Sequence, residues 1–323
     1  MRFVVFGAGA VGGVVGGLLH RAGNDVVLIA RGAHLAAIQR GGLRLETPSG
    51  ASVERVRAVA TPADLEWRSG DVVLLAVKSD ATVAALSALA LIAPATTPLV
   101  CVQNGVANEP TALRWFEQVY GVCVMAPTVH LEPGVVGAHS APTAAILDIG
   151  HYPDGLDETA RSVASAFSDA EMTSQPRADI MRWKYRKLLM NLGNAVHAVC
   201  NRSDGFEELR DLIRLEGETA LTAAGIEPVS EDDDNERRGD ILEVKPIAGS
   251  PRTGGSTWQS LERRTGAIET DYLNGEIVWL GRRYGVATPA NELIRRVANR
   301  CAAERTGPGR VDPASLLAEL DIA

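Results

Sequence analysis

The sequence predicts an α/β domain followed by an all-α domain. Two observations support this. In the first half of the chain, short β-branched segments alternate with helical segments, which is typical of a parallel, doubly wound sheet. From about Asp179 onward the strand pattern fades and long helical patterns replace it. We therefore place the two domains at residues 1–176 and 177–323.

The first half begins with a predicted strand, Arg2–Phe6, then a helix through His20 and a second strand, Asp25–Ile29. Further strands are predicted at 43–46, 53–60, 71–77, 98–102 and 121–125, and helices at 81–90 and from Glu109. The strand 71–77 is apolar at every position after Asp71, which is typical of a buried central strand. Ligands of such sheets bind at the carboxyl ends of the strands.

The second half contains the long helical patterns. Helices are predicted at 180–200, 207–224, 269–284 and 292–304. Between them lies an acidic run, 231–236, which lacks metal-ligand spacing and the glycine of a calcium loop. We interpret this run as a solvated loop or the start of a helix.

Composition excludes several classes of protein. The chain has 323 residues, 46% hydrophobic and 22% charged, which is typical of a globular protein with a well-buried core. A net charge of −8 argues against non-specific nucleic-acid binding, although a local basic pocket for one small anion stays open. The four cysteines show no CxxC or Cys/His cluster, so we expect thiols in a reducing cytoplasm and no metal site.

The uncharged run Phe3–Leu19 resembles a signal peptide or a membrane anchor at first sight. Six of the 32 glycines lie between Gly7 and Gly17, however. Each glycine destabilises an apolar helix by about 1 kcal/mol relative to alanine, and the run is short for a bilayer span. A strand, a turn and a helix of a globular domain explain the run better, so we expect no membrane partner.

The turn within this run carries a phosphate-binding pattern. Gly7-Ala8-Gly9-Ala10-Val11-Gly12 is G-x-G-x-x-G between a predicted strand and a predicted helix, the context of the Rossmann dinucleotide fingerprint. The first glycine permits the tight turn, the second lets the backbone approach the pyrophosphate, and the third lets the helix pack on the strand. A glycine-rich turn without a ligand is the alternative.

Three polar residues follow neighbouring strands. Arg31 stands where NAD-binding proteins carry an acidic residue, and a guanidinium there favours the 2′-phosphate of NADP. Lys78 and Asn104 follow the strands 71–77 and 98–102, where both would face the cofactor. The alternatives are a solvated surface arginine and ordinary loop residues.

One predicted helix presents a polar face. Lys187, Asn191 and Asn194 are spaced i, i+4 and i+7, which places them on one side of the helix. A lysine and two amides can hold a carbonyl and a hydroxylated substrate while the ammonium donates a proton. An exposed polar stripe is the alternative.

Taken together, the motifs resemble those of the 2-dehydropantoate 2-reductases, also called ketopantoate reductases, over nearly the whole chain. They are Gly7-x-Gly9-x-x-Gly12, Arg31, Ala76-Val-Lys78, Gln103-Asn104-Gly105, Trp183-Lys-Tyr-Arg-Lys187-Leu with Asn191, Ser256 ahead of Gln259, and Glu269-Thr-Asp271-Tyr272-Leu-Asn274-Gly275. The resemblance implies a Rossmann domain joined to a helical domain, with the active site in the cleft between them. It also implies an enzyme of pantothenate biosynthesis that reduces a 2-keto acid with NADPH.

The resemblance implies roles for individual residues. Lys187 would be the general acid, and would need a lowered pKa or a fresh proton to act near neutral pH. Glu269 would help to hold the nicotinamide ribose and orient the site, and Ser256 would bind the substrate carboxylate. Asn104 and Asn191 would surround the nicotinamide and the substrate hydroxyl, and Lys78 would contact the cofactor.

Two departures from the family pattern bear on the substrate. The family commonly has a second asparagine eight residues after the catalytic lysine, where this chain has Ala195, and Asn194 comes one residue earlier. One residue is about 100° around a helix, so Asn194 can substitute only if the helix changes locally. Ser256 and Glu269 are also one residue further apart than in the pattern.

Three functions follow as hypotheses. The first is reduction of 2-dehydropantoate to pantoate, the second is reduction of another 2-keto acid or an imine on the same fold, and the third is a non-catalytic NADP-binding redox regulator. The expected partner is a small-molecule 2-keto acid and not nucleic acid. The apolar faces of the C-terminal helices are compatible with a homodimer.

Overall fold

The computed structural model describes residues 1–130, 132–264 and 266–321, and the chain forms two compact units. The first unit consists of residues 1–184 and 231–252, and the second of 185–230 and 253–323. This division differs from the single predicted boundary after residue 176, because a segment from the middle of the helical half returns to the first unit.

Strands and helices alternate in the first part of the described chain, and helices predominate after β12. The strands are β1 (Arg2–Phe6), β2 (Asp25–Ile29), β3 (Leu43–Thr47), β4 (Gly50–Glu54), β5 (Arg57–Val59), β6 (Asp71–Leu75), β7 (Leu99–Cys101), β8 (Val119–Met125), β9 (Thr128–Val129), β10 (Val135–Ala138), β11 (Ser140–Pro142), β12 (Ile146–His151) and β13 (Leu242–Val244). The helices are α1 (Ala10–Arg21), α2 (Gly32–Gly41), α3 (Thr82–Ala90), α4 (Asn108–Ala112), α5 (Glu158–Asp169), α6 (Ile180–Leu192), α7 (Asn194–Val199), α8 (Phe206–Ala223), α9 (Glu231–Arg238), α10 (Ser256–Glu262), α11 (Asn274–Tyr284), α12 (Pro289–Ala303) and α13 (Pro313–Asp321).

The main sheet of the first unit has the strand order β12-β8-β7-β6-β1-β2-β5. Neighbouring strands run parallel, except that β12 is antiparallel to β8. The predicted α/β domain with a parallel, doubly wound sheet is therefore confirmed. The carboxyl ends of β7, β6, β1 and β2 form one continuous edge, which is where the predicted cofactor residues are found.

The core of the first unit lies on both faces of this sheet. Phe3 and Val5 of β1 pack into one buried cluster together with residues of α1 and α5. Val4, between them, packs into a second cluster with residues of α3 and with Phe116. Because both faces are covered, the central strands β1 and β6 are apolar at every position after their first residue, and this made them recognisable in the sequence.

The segment 231–252 belongs to the first unit through an ion pair and a strand. Arg237, in α9, donates to both carboxylate oxygens of the buried Asp148 in β12, at 2.8 and 2.6 Å. Arg177 also donates to Asp148, at 3.2 Å. β13 pairs antiparallel with β11. The acidic run 231–236 is therefore the first part of a helix whose basic end neutralises a buried carboxylate.

The second unit is helical, as predicted, and a buried polar network connects its helices. The Asn274 amide donates to the carbonyl of Leu192, at the end of α6, and to Asn291 Oδ1 in α12. Glu216 of α8 accepts from the backbone N–H groups of Ala290 and Asn291 at 2.8 and 2.9 Å. This carboxylate satisfies amides that the first turn of a helix otherwise leaves without a partner.

Candidate active site

The glycine-rich turn after β1 is held closely against the neighbouring strand β6. Gly7 has φ +103°, and a Cβ there would lie 2.8 Å from the backbone nitrogen of Val77. A Cβ at Gly12 would lie 2.2 Å from the Gly7 carbonyl oxygen. The first and third glycines are therefore required by packing inside the protein itself.

Gly9 differs from its neighbours, because a Cβ there would meet no atom within 4 Å. Packing does not explain this glycine, whereas a ligand that approaches the backbone does. Gly9 is also the residue before α1, whose first turn begins with Ala10 and Val11. The N–H groups of such a turn attract a phosphate. This turn therefore fits a dinucleotide pyrophosphate.

A histidine that the sequence analysis missed fixes this turn. The Nδ1 atom of His34 accepts from the Gly134 backbone N–H at 2.8 Å, so the proton of the neutral ring is on Nε2. Nε2 lies 2.7 Å from the Ala8 carbonyl oxygen, to which it donates. Burial lowers the pKa of His34, which favours this neutral form. The side chain therefore anchors the backbone next to Gly9.

The predicted cofactor residues Arg31, Lys78 and Asn104 follow β2, β6 and β7, all on one edge of the sheet. Arg31 is exposed, at the residue before α2, whereas Lys78 and Asn104 are half-buried. The exposed guanidinium is accessible to a 2′-phosphate. The arrangement brings the three residues to the edge that carries the glycine-rich turn.

Hydrogen bonds between loops determine the backbone around Lys78 and Asn104. The Gln103 side chain donates to the carbonyl of Val77, the residue before Lys78, at 2.8 Å, and to Thr82 Oγ1. The Asn108 side chain donates to the carbonyl of Asn104 at 3.1 Å. The loops after β6 and β7 are thus linked to each other.

In the second unit, Lys187, Asn191 and Asn194 follow one another along α6 and α7. Lys187 is half-buried and Asn191 is 6% exposed. The predicted continuous helix is interrupted: α6 ends at Leu192, Gly193 forms a turn, and α7 begins at Asn194. The helix therefore does change locally, directly before Asn194. The Asn194 amide donates to Asn191 Oδ1 at 3.2 Å, so the two amides lie together.

Ser256 and Glu269 belong to the same unit. Ser256 is the exposed first residue of α10, and a Cβ on the preceding Gly255 would lie 3.6 Å from Asn194 Oδ1. The start of α10 therefore adjoins the Asn191–Asn194 pair. Glu269 is half-buried and directly precedes a 3-10 turn, Thr270–Tyr272.

A pocket of about 510 Å³ opens beside these amides, wholly within the second unit. Asn194 and Gly255 form part of its wall, together with His197, Arg202 and Trp258. The Arg202 guanidinium donates to His197 Nδ1 at 2.9 Å and lies over the Phe206 ring. The pocket thus offers an aromatic wall and a cationic group next to Asn194.

Comparison with known proteins identifies the family. Residues 3–153 match the family described as "Ketopantoate reductase PanE/ApbA", and residues 179–301 match its C-terminal counterpart. A ketopantoate reductase of this family from Ralstonia eutropha JMP134 has a solved structure with 30% identity and a TM-score of 0.80, covering 94% of this chain and 99% of that one. The chain belongs to the ketopantoate reductase family.

The chain is also similar to a curated enzyme and to a second solved structure. A 2-dehydropantoate 2-reductase from Pyrococcus horikoshii is 28% identical over 302 residues, covering 91% of this chain and 95% of that protein. A D-mandelate dehydrogenase solved with NADH and anilino(oxo)acetate shares the fold, with 22% identity and a TM-score of 0.80, covering 94% of this chain and 99% of that one. Membership of the ketopantoate reductase family makes the chain an NADP-dependent oxidoreductase that acts on a CH–OH group, as predicted.

No helix within residues 1–130, 132–264 and 266–321 is long and apolar enough to cross a membrane. Across the same described residues, no group of three or more His, Cys, Asp or Glu side chains could hold a metal ion.

Proposed function

We propose that the chain reduces 2-dehydropantoate to pantoate with NADPH and that Lys187 is the general acid. The observation that carries the proposal is the succession of Lys187, Asn191 and Asn194 along α6 and α7. The side-chain amides of the two asparagines are hydrogen-bonded to each other. The names of relatives such as the Pyrococcus horikoshii protein support the choice of substrate.

The first unit would hold the cofactor. The glycine-rich turn and the start of α1 would bind the pyrophosphate, since Gly9 leaves its backbone open to a ligand. Arg31 would pair with the 2′-phosphate, and Lys78 and Asn104 would contact the ribose and nicotinamide side. NADPH, when bound, supplies the hydride that the substrate carbonyl carbon receives.

The second unit would hold and protonate the keto acid. Lys187 would donate a proton to the carbonyl oxygen, which becomes the new hydroxyl as its carbon is reduced. Asn191 and Asn194 would hold the substrate hydroxyl, Ser256 would donate to the carboxylate, and Glu269 would help to orient the nicotinamide ribose. One hydride and one proton are added, so the keto acid becomes a 2-hydroxy acid.

The substitution Lys187→Met tests the general acid. Loss of a general acid lowers kcat by about 10² to 10⁴-fold, whereas the dissociation constant for NADPH should stay unchanged. Lys245→Met is the matched control, because Lys245 is an exposed lysine paired with Glu243. Undiminished turnover in Lys187→Met would overturn this role. A wild-type protein that binds NADPH and turns over no keto or imino acid would instead support the redox regulator.

A second candidate function is reduction of a larger 2-keto acid, and the pocket beside Asn194 favours it. If Asn194 holds the far hydroxyl of 2-dehydropantoate, the pocket of about 510 Å³ would extend from that point. Its Trp258 wall and the Arg202 guanidinium suit a longer side chain with an aromatic or anionic end.

Filling the pocket separates the two substrates. Gly255 has φ −83°, and a Cβ there would lie at an ordinary contact distance of 3.6 Å from Asn194 Oδ1, so we expect Gly255→Val to fold and to narrow the pocket. We compare kcat/KM of the wild type and of Gly255→Val across 2-keto acids of increasing size. If the natural substrate is a larger acid, the substitution should lower kcat/KM for the long acids and leave it unchanged for the short ones. If the wild-type protein prefers 2-dehydropantoate and Gly255→Val affects all substrates alike, the second candidate is wrong.

A further inference from the structure

We propose that Lys184 and Glu109 are positioning residues for the cofactor: their buried ion pair holds the two loops that carry Lys78 and Asn104. The inference rests on the proposed NADPH site of the first unit. It assigns no contact with the cofactor to either residue. Both act through the backbone of the loops after β6 and β7.

The pair is buried and well connected. Lys184 Nζ lies 2.8 Å from Glu109 Oε1, and the two side chains are 2% and 0% exposed. Nζ also donates to the carbonyl oxygens of Gln103, at 2.8 Å, and Val122, at 3.0 Å. Two of the three N–H donors of the ammonium thus have backbone carbonyl acceptors, and its charge faces the Glu109 carboxylate. The ammonium is therefore held at one point between α4, β8 and the loop after β7.

The contacts of this ammonium lead directly to the cofactor loops. It holds the carbonyl that precedes Asn104, and the Asn108 side chain holds the carbonyl of Asn104 itself. Both peptide groups that flank Asn104 are thereby fixed. The neighbouring Gln103 side chain holds the carbonyl that precedes Lys78. A change at Lys184 should therefore alter the position of Asn104 first and that of Lys78 second.

Stability alone explains this pair poorly. Removing two charges from water is expensive, and well-packed apolar residues of the same volume are often as stable as a buried ion pair. Apolar residues cannot replace the two N–H donors that face Gln103 and Val122, however. Compared with apolar residues of the same volume, the ion pair therefore contributes a fixed position of the backbone next to Asn104.

The experiment compares two buried ion pairs of the first unit. The double variant Lys184→Met/Glu109→Leu removes both charges together, and Arg2→Met/Asp71→Leu does the same for a pair at the opposite, amino end of the strands, with side chains 6% and 1% exposed. The dissociation constant for NADPH is measured by fluorescence titration, and Tm by thermal unfolding. We expect the constant to rise about tenfold in the first double variant, as for other small displacements in binding sites, and to change less than about twofold in the second.

Each outcome decides the proposal. An unchanged dissociation constant in Lys184→Met/Glu109→Leu, or an equal loss in both double variants, would overturn it. If the first double variant does not fold, Glu109→Gln takes its place, because glutamine keeps the size of the side chain and removes the negative charge that holds the Lys184 ammonium next to the Gln103 carbonyl. Measured well below its Tm, this variant should bind NADPH at least about threefold more weakly, and wild-type affinity would overturn the proposal.

The failure of the proposed function would look different. If the wild-type protein binds NADPH and Lys187→Met loses turnover at unchanged affinity, the function stands and the double variants test the positioning role alone. If the wild-type protein binds neither NADPH nor NADH, the cofactor site itself is wrong.

Discussion

The two ends of the main sheet each contain a buried ion pair, but the pairs are built differently. At the amino ends, Arg2 and Asp71 are register partners on the adjacent strands β1 and β6, and they bond in a bidentate manner at 2.8 and 2.7 Å. At the carboxyl ends, Lys184 and Glu109 come from α6 and α4, and the ammonium reaches into loops.

The difference shows how a parallel sheet separates stability from function. The pair of Arg2 and Asp71 joins two adjacent strands and also holds the loop before β6, because Arg2 donates to the Glu66 carbonyl and Asp71 accepts from the Arg68 backbone N–H. The pair of Lys184 and Glu109 fixes backbone groups at the edge where ligands of doubly wound sheets bind. Both ion pairs therefore hold loop backbone, and they differ in that only the carboxyl end is where we expect the cofactor.

The largest expected effect is on stability, at the amino end. Asp71→Asn leaves the Arg2 guanidinium buried with a neutral partner, which should lower the free energy of unfolding by about 3 kcal/mol. Urea unfolding measures this loss. The dissociation constant for NADPH should stay within about twofold of wild type. A strong loss of affinity would mean that the two ends are coupled, and would break the comparison.

The next effect concerns the carboxyl end and leaves stability unchanged. Gly9→Val places a side chain where the protein has open space and a ligand is expected, so NADPH affinity should fall about 100-fold, or about 2.7 kcal/mol. Gly41→Val is the control, because a Cβ at Gly41 in α2 also meets no atom within 4 Å. Thermal unfolding should find both variants near the wild-type Tm. Equal NADPH affinity in the two variants would show that Gly9 does not face the pyrophosphate.

A smaller effect is expected from the charge at the end of β2. Arg31→Ala removes charge-assisted hydrogen bonds to the 2′-phosphate, at a cost of about 2 kcal/mol, or about thirtyfold in kcat/KM for NADPH. The value for NADH should not change, because NADH lacks this phosphate. Steady-state kinetics with both cofactors give the ratio of kcat/KM for NADPH to kcat/KM for NADH. Arg40→Ala, in α2, is the control and should leave this ratio unchanged. An equal loss with NADPH and NADH would contradict the assignment of Arg31.

The smallest effect concerns Glu276, a half-buried carboxyl group of the second unit, in contrast to the ion-paired carboxylates of the sheet. Burial raises the pKa of Glu276 from 4.5 to about 6. The folded state therefore binds this proton more tightly than the unfolded state. The resulting contribution to the free energy of unfolding is fully present below pH 4.5 and is lost as the pH rises through about 6. Glu276→Gln should equal wild type near pH 4 and exceed it by about 1 kcal/mol near pH 7.5. Chemical unfolding at both pH values checks this, and a constant difference would show that the carboxyl group does not titrate as expected.

The sequence was sufficient for those parts of the fold that depend on local pattern. The bounds of β1 and β2 agree with the prediction, because both strands are short apolar runs next to glycine turns. The strands after β8 escaped prediction, since short strands such as β9 have too few residues for a recognisable alternation. The break at Gly193 was also missed, because the apolar pattern continues through it.

The site shows the same limit. Lys184 and Lys187 lie three residues apart in one polar run, and nothing local distinguishes the buried lysine from the half-buried one. Glu109, which neutralises Lys184, lies far away in the chain. His34 was missed for the same reason, since its partners Ala8 and Gly134 are close only in the folded protein. The roles of Lys187, Asn191, Ser256 and Glu269 remain predictions.

The return of residues 231–252 to the first unit has a consequence for the order of synthesis. Until this segment leaves the ribosome, β11 lacks its partner β13 and Asp148 lacks Arg237. Residues 185–230 of the second unit are translated before residues 231–252. The first unit is therefore incomplete when the first helices of the second unit have already left the ribosome. Domains usually fold as units during translation, from the amino terminus onward. A gene fragment that stops at residue 184 should therefore yield an unstable protein, and one in which a short linker joins residue 184 to 231–252 a stable one.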